Sequence, residues 1–304
     1  MTDWSTGFPA GMKNSADLSH RPASPQGRLG SPVLRFLGAV TLTYLGLVAI
    51  TMIGEEAFIF FPSRYPEGLW KLPAGVEEAF FTAEDGVRLH GWFAAHPAPR
   101  AIVLYCHGNA GNVTHRADIL YALRNWSEVS VLVLDYRGYG KSEGWPTEHG
   151  VLADTRAARK WLASRTGVEE AEIVLMGQSL GGAVAAVIAA RDGARGLVLE
   201  STFTSIPEMA AYHYPWLPTR WVIRTRLDAQ AEIKNYRGPV FLCHAEHDSI
   251  VPYVMGQRLF AAANEPKEFM TIPGADHNDP LPREYYIRLR EFFSRLPSRV
   301  GLGG

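Results

Sequence analysis

Cysteine is nearly absent from this chain: two residues in 304, Cys106 and Cys243. That count excludes a disulfide scaffold and a four-thiolate zinc site. An excess of charge is missing too. Thirty Lys and Arg against 31 Asp and Glu leave a formal charge of −1 and a pI near 6.8. The basic field that non-specific nucleic-acid binding needs is therefore lacking. No G-x-G-x-x-G fingerprint, P-loop or internal repeat occurs, so nucleotide chemistry has no support. What is present is apolar material: 47% hydrophobic residues against 20% charged. This is enough for a sizeable core and excludes whole-chain disorder.

The N-terminal part is of different composition from the rest. Residues 1–32 hold scattered Pro, Gly and Ser with no apolar period, and are expected to form a flexible tail. The run FLGAVTLTYLGLVAITMIG (36–54) carries no charge over nineteen residues. As a helix it spans roughly 28 Å, close to the hydrocarbon thickness of a bilayer. An uncleaved transmembrane anchor over 33–54 is expected. A buried core helix and a cleaved signal peptide are the alternatives, but core helices rarely run this long without a polar face, and no small-x-small cleavage site follows. Arg21, Arg28 and Arg35 precede the span and Arg64 and Lys71 follow it. This bias favours a cytoplasmic N-terminus and an exported main domain, periplasmic or lumenal/extracellular.

Residues 55–75 are punctuated by Pro and Gly and read as a linker. From 76 onward, a hairpin at 76–82 and 87–94 precedes short apolar runs at 101–106, 129–134, 172–177, 196–200, 239–244 and 267–272. Helical stretches separate them near 113–126, 149–165, 180–191, 252–263 and 282–295. Continuous apolar runs alternating with helices predict one α/β domain over 76–304: a mostly parallel, eight-stranded sheet with helices on both faces. In such sheets ligands bind beyond the carboxyl ends of the strands. Those ends are therefore the places to inspect.

After the run 172–177 comes Gly177-Gln178-Ser179-Leu180-Gly181, a G-x-S-x-G with a strand before it and a helix after it. A sharp turn there would expose the Ser179 hydroxyl, which needs a base to become a nucleophile. Acid and histidine are expected later in the chain, in that order. Asp248, in HDSIVP, and His277, in GADHND, supply them. His244, His247 and His107 are rival bases, and Glu200, Asp135 and Asp276 rival acids, with Glu200 the serious competitor. The loop His107-Gly108-Asn109-Ala110-Gly111-Asn112 follows another strand. Its glycines let backbone N–H groups approach an oxyanion, which the amides of Asn109 and Leu180 are expected to bind. Ala110 is an alternative donor to Asn109.

In sequence and order, HGNAGN (107–112), DYRGYGKSEG (135–144), GQSLGG (177–182), HDSIVP (247–252) and GADHND (274–279) resemble the α/β-hydrolase superfamily. With FIFFPSRYPEG (58–68) and ESTFTSIPEMA (200–210), the chain looks more closely like its membrane-anchored bud-emergence-type (Bem-like) serine hydrolase branch. The resemblance covers roughly residues 55–296. It implies Ser179, Asp248 and His277 as a triad, in agreement with the order read from the residues. It also implies that Asp135-Tyr136-Arg137-Gly138 is a structural turn, and that no Cys106–Cys243 bridge forms.

No cofactor and no metal are expected, because the H-E-x-x-H order is absent from His244-Ala-Glu-His247. Segment 203–236, with Tyr212, His213, Tyr214, Trp216 and Trp221, reads either as an aromatic rim over an acyl pocket or as a packed surface loop. The expected activity is hydrolysis of a small-molecule or lipid-like carboxylic ester or thioester beside the membrane. A peptidase or amidase, or a non-catalytic scaffold, is the alternative.

Overall fold

Apolar runs of five or six residues without an alternating polar position must be covered on both faces. The computed structural model, which describes residues 31–297, forms ten strands. In chain order they are β1 (Phe61–Pro62), β2 (Val76–Thr82), β3 (Arg88–Ala94), β4 (Ile102–Cys106), β5 (Ala110–Gly111), β6 (Ser130–Asp135), β7 (Ile173–Gln178), β8 (Leu197–Glu200), β9 (Val240–Ala245) and β10 (Lys267–Ile272). Eight of them make one sheet in the order β10-β9-β8-β7-β4-β6-β3-β2. The pairings β2/β3 and β3/β6 are antiparallel and the rest parallel. Every position of β6 and β9 is buried, as unbroken apolar runs require.

The helices are α1 (Pro32–Ile53), α2 (Glu55–Ile59), α3 (Ala117–Trp126), α4 (Glu148–Thr166), α5 (Leu180–Asp192), α6 (Ile206–His213), α7 (Thr219–Val222), α8 (Ala229–Glu232), α9 (Tyr253–Ala262) and α10 (Arg283–Arg295). Residues of α4, α5 and α9 fill the core on one face of the sheet, and those of α3 and α10 on the other. The mostly parallel α/β-hydrolase architecture expected from the sequence is the one observed, with strand limits within two residues of the apolar runs.

None of the 22 residues of α1 is buried, and the helix is long and apolar enough to cross a membrane. The chain divides into two units within this helix, Met1–Gly46 and Leu47–Gly304, so its last turns belong with the larger unit. The expected flexible tail falls, up to residue 30, outside the described residues.

The stretch 55–75 is tied to the larger unit. Glu55, at the end of the apolar span, is buried. Its carboxylate accepts hydrogen bonds from the Arg224 and Thr225 amides at 2.9 and 3.0 Å and from the Thr225 hydroxyl at 2.9 Å. Further on, β1 pairs in parallel with β5, aligning Phe61 with Ala110 and Pro62 with Gly111. The chain leaving the apolar helix is thus fastened to the loop that follows β4.

Candidate active site

The carboxyl ends of β4, β7, β9 and β10 carry the residues expected to do chemistry. Between β7 and α5 the backbone turns at Ser179, which adopts φ 51° and ψ −117°. Such a conformation costs a non-glycine residue about 1–3 kcal/mol and persists only where its surroundings enforce it. Two glycines provide the space. A Cβ on Gly177 would lie 2.2 Å from the Gly181 carbonyl oxygen, and one on Gly181 would lie 2.0 Å from the Cys106 carbonyl oxygen. Helix α5 can therefore close onto β7 and β4 only with glycine at these positions. The Ser179 amide donates to the Glu200 carbonyl at 2.9 Å, fixing the turn to the end of β8. Gly181→Ala is expected to destabilise the fold by about 3 kcal/mol, since backbone rather than a flexible side chain must move. Chemical denaturation of the purified variant measures this, and unchanged stability would contradict the tight α5–β4 contact.

Ser179, Leu180 and Asn109 line one cavity of about 330 Å³. A Cβ on Gly108 would be 3.7 Å from the Ser179 Cβ, so loop 107–112 lies against the serine. The loop is held from several sides. The Asn109 carbonyl accepts from the Phe61 amide at 2.9 Å and from the Tyr139 hydroxyl at 2.7 Å. Asn109 Nδ2 donates to the Ile59 carbonyl at 3.2 Å. His107 is fully buried, and its Nδ1 donates to the Gly108 carbonyl at 2.7 Å. Burial and the nearby Arg116 push its pKa down to about 3. With its proton on Nδ1 and bonded to the loop's own backbone, the ring helps to shape the loop.

The histidine and the acid meet. His277 Nδ1 donates to Asp248 Oδ2 at 2.7 Å, and both side chains are buried. The other carboxylate oxygen, Oδ1, accepts from the amides of Ile250 and Val251 at 3.0 and 2.6 Å. With Nδ1 committed as donor, Nε2 is the nitrogen left to accept a proton. A hydrogen bond between Ser179 and His277 is not among those formed by the described residues. Such bonds are often long in empty sites and tighten around a bound substrate. The two loops are clasped by Asp276, whose Oδ1 accepts from the Ser249 amide and the His277 amide, both at 2.7 Å. These bonds hold the Asp276 carboxyl below its usual range.

Most of the rival groups have partners of their own. The Glu200 carboxylate accepts from the hydroxyls of Tyr105 (2.9 Å) and Tyr285 beneath the sheet, and burial raises its pKa. Asp135 accepts from His90 Nδ1 at 2.9 Å and from the Val113 amide at 2.8 Å. His244 is buried in β9 with Nε2 2.9 Å from the Val251 carbonyl, and His247 is exposed. Cys106 is a buried thiol raised to about 12 by desolvation, too weakly acidic for a nucleophile. A larger depression of about 900 Å³ along α4 is lined by none of Asn109, Ser179, Asp248 and His277.

Sequence reasoning missed part of the cavity. Phe58, Ile59 and Phe61, from the expected linker, line it beside Ser179. His213, which the sequence offers as part of an aromatic rim, lines it as well; its Nε2 lies 2.9 Å from the Ile250 carbonyl and so joins α6 to the Asp248 loop. The motif FIFFP was visible in the sequence, but nothing local to it specified pairing with residues 110–111.

Known proteins are similar to this chain in sequence and fold. The family described as Serine aminopeptidase, S33 matches residues 97–226. The α/β hydrolase domain-containing protein WAV2 of Arabidopsis thaliana is 36% identical over 238 residues, 71% of this chain and 76% of that protein. Protein bem46 of Schizosaccharomyces pombe is 32% identical over 248 residues, 76% of this chain and 83% of that protein. Among solved structures, an esterase of Pyrococcus furiosus superposes with a TM-score of 0.62 at 21% identity, over 78% of this chain and 99% of that one.

Proposed function

The chain belongs to the α/β-hydrolase family, in its Bem-like branch, and on that footing we propose that this hydrolase is a membrane-anchored serine enzyme cleaving carboxylic esters or thioesters. The observation that carries this reading is what four strand ends supply: Ser179 on a strained turn, loop 107–112 against it, and a preformed His277–Asp248 pair. A binding protein has no need of this set.

In the reaction, Ser179 Oγ attacks the acyl carbonyl carbon while His277 Nε2 takes the hydroxyl proton. Asp248 holds the ring in the Nδ1–H tautomer and stabilises the imidazolium. Charge developing on the carbonyl oxygen is met by the amides of Leu180 and Asn109, at the positive end of α5. Collapse of the tetrahedral intermediate expels the alcohol or thiol, which receives the proton from His277 and leaves an acyl-Ser179. Water, deprotonated by the same nitrogen, then releases the acid. No metal or cofactor is required. We place α1 across the membrane, with the N-terminus cytoplasmic and the hydrolase domain exported, on the bias of Arg21, Arg28 and Arg35 against Arg64 and Lys71.

A fluorophosphonate probe tests the nucleophile. The wild type is expected to label stoichiometrically and Ser179→Ala not at all. Labelling of the alanine variant at the wild-type rate would remove Ser179 from the mechanism.

A further inference from the structure

The cavity at Ser179 has a neighbour. A second cavity of about 320 Å³ adjoins it along Phe58, Ile59, Ile206, Ala210 and Tyr214, which line both. Its walls on the side away from Ser179 are Leu47 and Ile50 from the last turns of α1, together with Leu217 and Val222 around α7. Each polar group set deep in this lining is already satisfied. Glu55 is bound by Arg224 and Thr225; Thr51 donates to the Val48 carbonyl at 2.8 Å, and Thr219 to the Pro207 carbonyl at 3.2 Å. A groove of this kind offers hydrocarbon contact without a handle for a polar ligand.

The apolar surface does not stop at the groove. Leu47 and Ile50 belong to a helix long and apolar enough to cross a membrane, and they remain largely accessible. Tyr214 and Trp216, which line the same groove, are exposed, as are Tyr212 and Trp221 in the same segment, Trp221 at 89%. Exposed Trp and Tyr flanking an apolar span are the pattern of a membrane–water interface. An alkyl chain lying in a bilayer against α1 could slide into the groove without crossing water.

We propose that this groove is an acyl-chain subsite, with the C-terminal turns of α1 as one of its walls, and that the substrate is a long-chain acyl ester drawn from the membrane. The proposal rests on the reading of Ser179 as the nucleophile, since the acyl carbonyl must sit at that serine when its chain lies in the groove. The apolar helix is then part of the substrate site as well as an anchor.

The test uses the full-length protein in detergent micelles, with p-nitrophenyl butyrate and p-nitrophenyl laurate as probes. The wild type is expected to favour laurate in kcat/KM by at least about tenfold, from the added methylene burial. Val222→Trp and Leu217→Trp each put an indole into the groove, and the laurate-to-butyrate ratio is expected to fall by about tenfold in each. Two variants are used because either could fold poorly, and fluorophosphonate labelling of Ser179 identifies those that are folded. An unchanged ratio in labelled variants would overturn the subsite and leave the serine hydrolase reading standing. So would a wild type that prefers butyrate. A wild type that does not label at Ser179 would instead remove the hydrolase reading, and this proposal with it.

Discussion

His277→Ala is expected to lower kcat/KM for ester substrates by about 10⁴- to 10⁶-fold, the range seen when the base of a serine–histidine pair is removed. The size follows from the lack of a substitute. His107 is sealed in the core with a pKa near 3 and one nitrogen on the Gly108 carbonyl. His244 is spent on Val251, and burial lowers its pKa as well. His213 reaches the cavity but is engaged with the Ile250 carbonyl. His277 has Nδ1 on Asp248, a buried carboxylate that itself receives two backbone amides. Steady-state kinetics, with thermal unfolding to verify that the variant is folded, measures the effect. Activity within tenfold of wild type would move the base to another residue.

How far the sequence reveals this site depends on the range of the interactions. Ser179, Asp248 and His277 were legible because each follows an apolar run, and parallel sheets gather such ends on one edge. Gly177 and Gly181 were legible for a local reason, since a strand-to-helix turn this sharp excludes a Cβ at both. The fastening of the linker was not legible. Each of β1 and β5 has two residues, too few for any periodicity, and they lie about 50 positions apart. Glu55 reads in sequence as a charge flanking an apolar span, yet it is buried against Thr225, 170 residues away. Segment 203–236 offered two readings because aromatic residues suit a packed loop and a rim equally. Here Tyr212, Tyr214, Trp216 and Trp221 are exposed while Ile206 is buried.

Asp248→Asn should lower kcat by about 10⁴-fold, because an amide no longer enforces the Nδ1–H tautomer of His277 or stabilises its cation. Glu200→Gln, at the rival acid, should leave kcat within about tenfold of wild type, since its side chain points away from the site and toward Tyr105 and Tyr285. Its consequence lies in stability. Burial raises the Glu200 pKa in the folded protein, so the native state binds that proton more tightly than the unfolded chain does. The contribution of Glu200 to stability is complete below the ordinary carboxyl range, and is lost as the pH rises from there through the elevated folded value. Glutamine removes this dependence. Urea unfolding of both proteins across that range should find the variant gaining on wild type as the pH increases, with kcat little altered. The reverse result, a folded Glu200→Gln protein without turnover beside an active Asp248→Asn protein, would transfer the acid from the end of β9 to the end of β8.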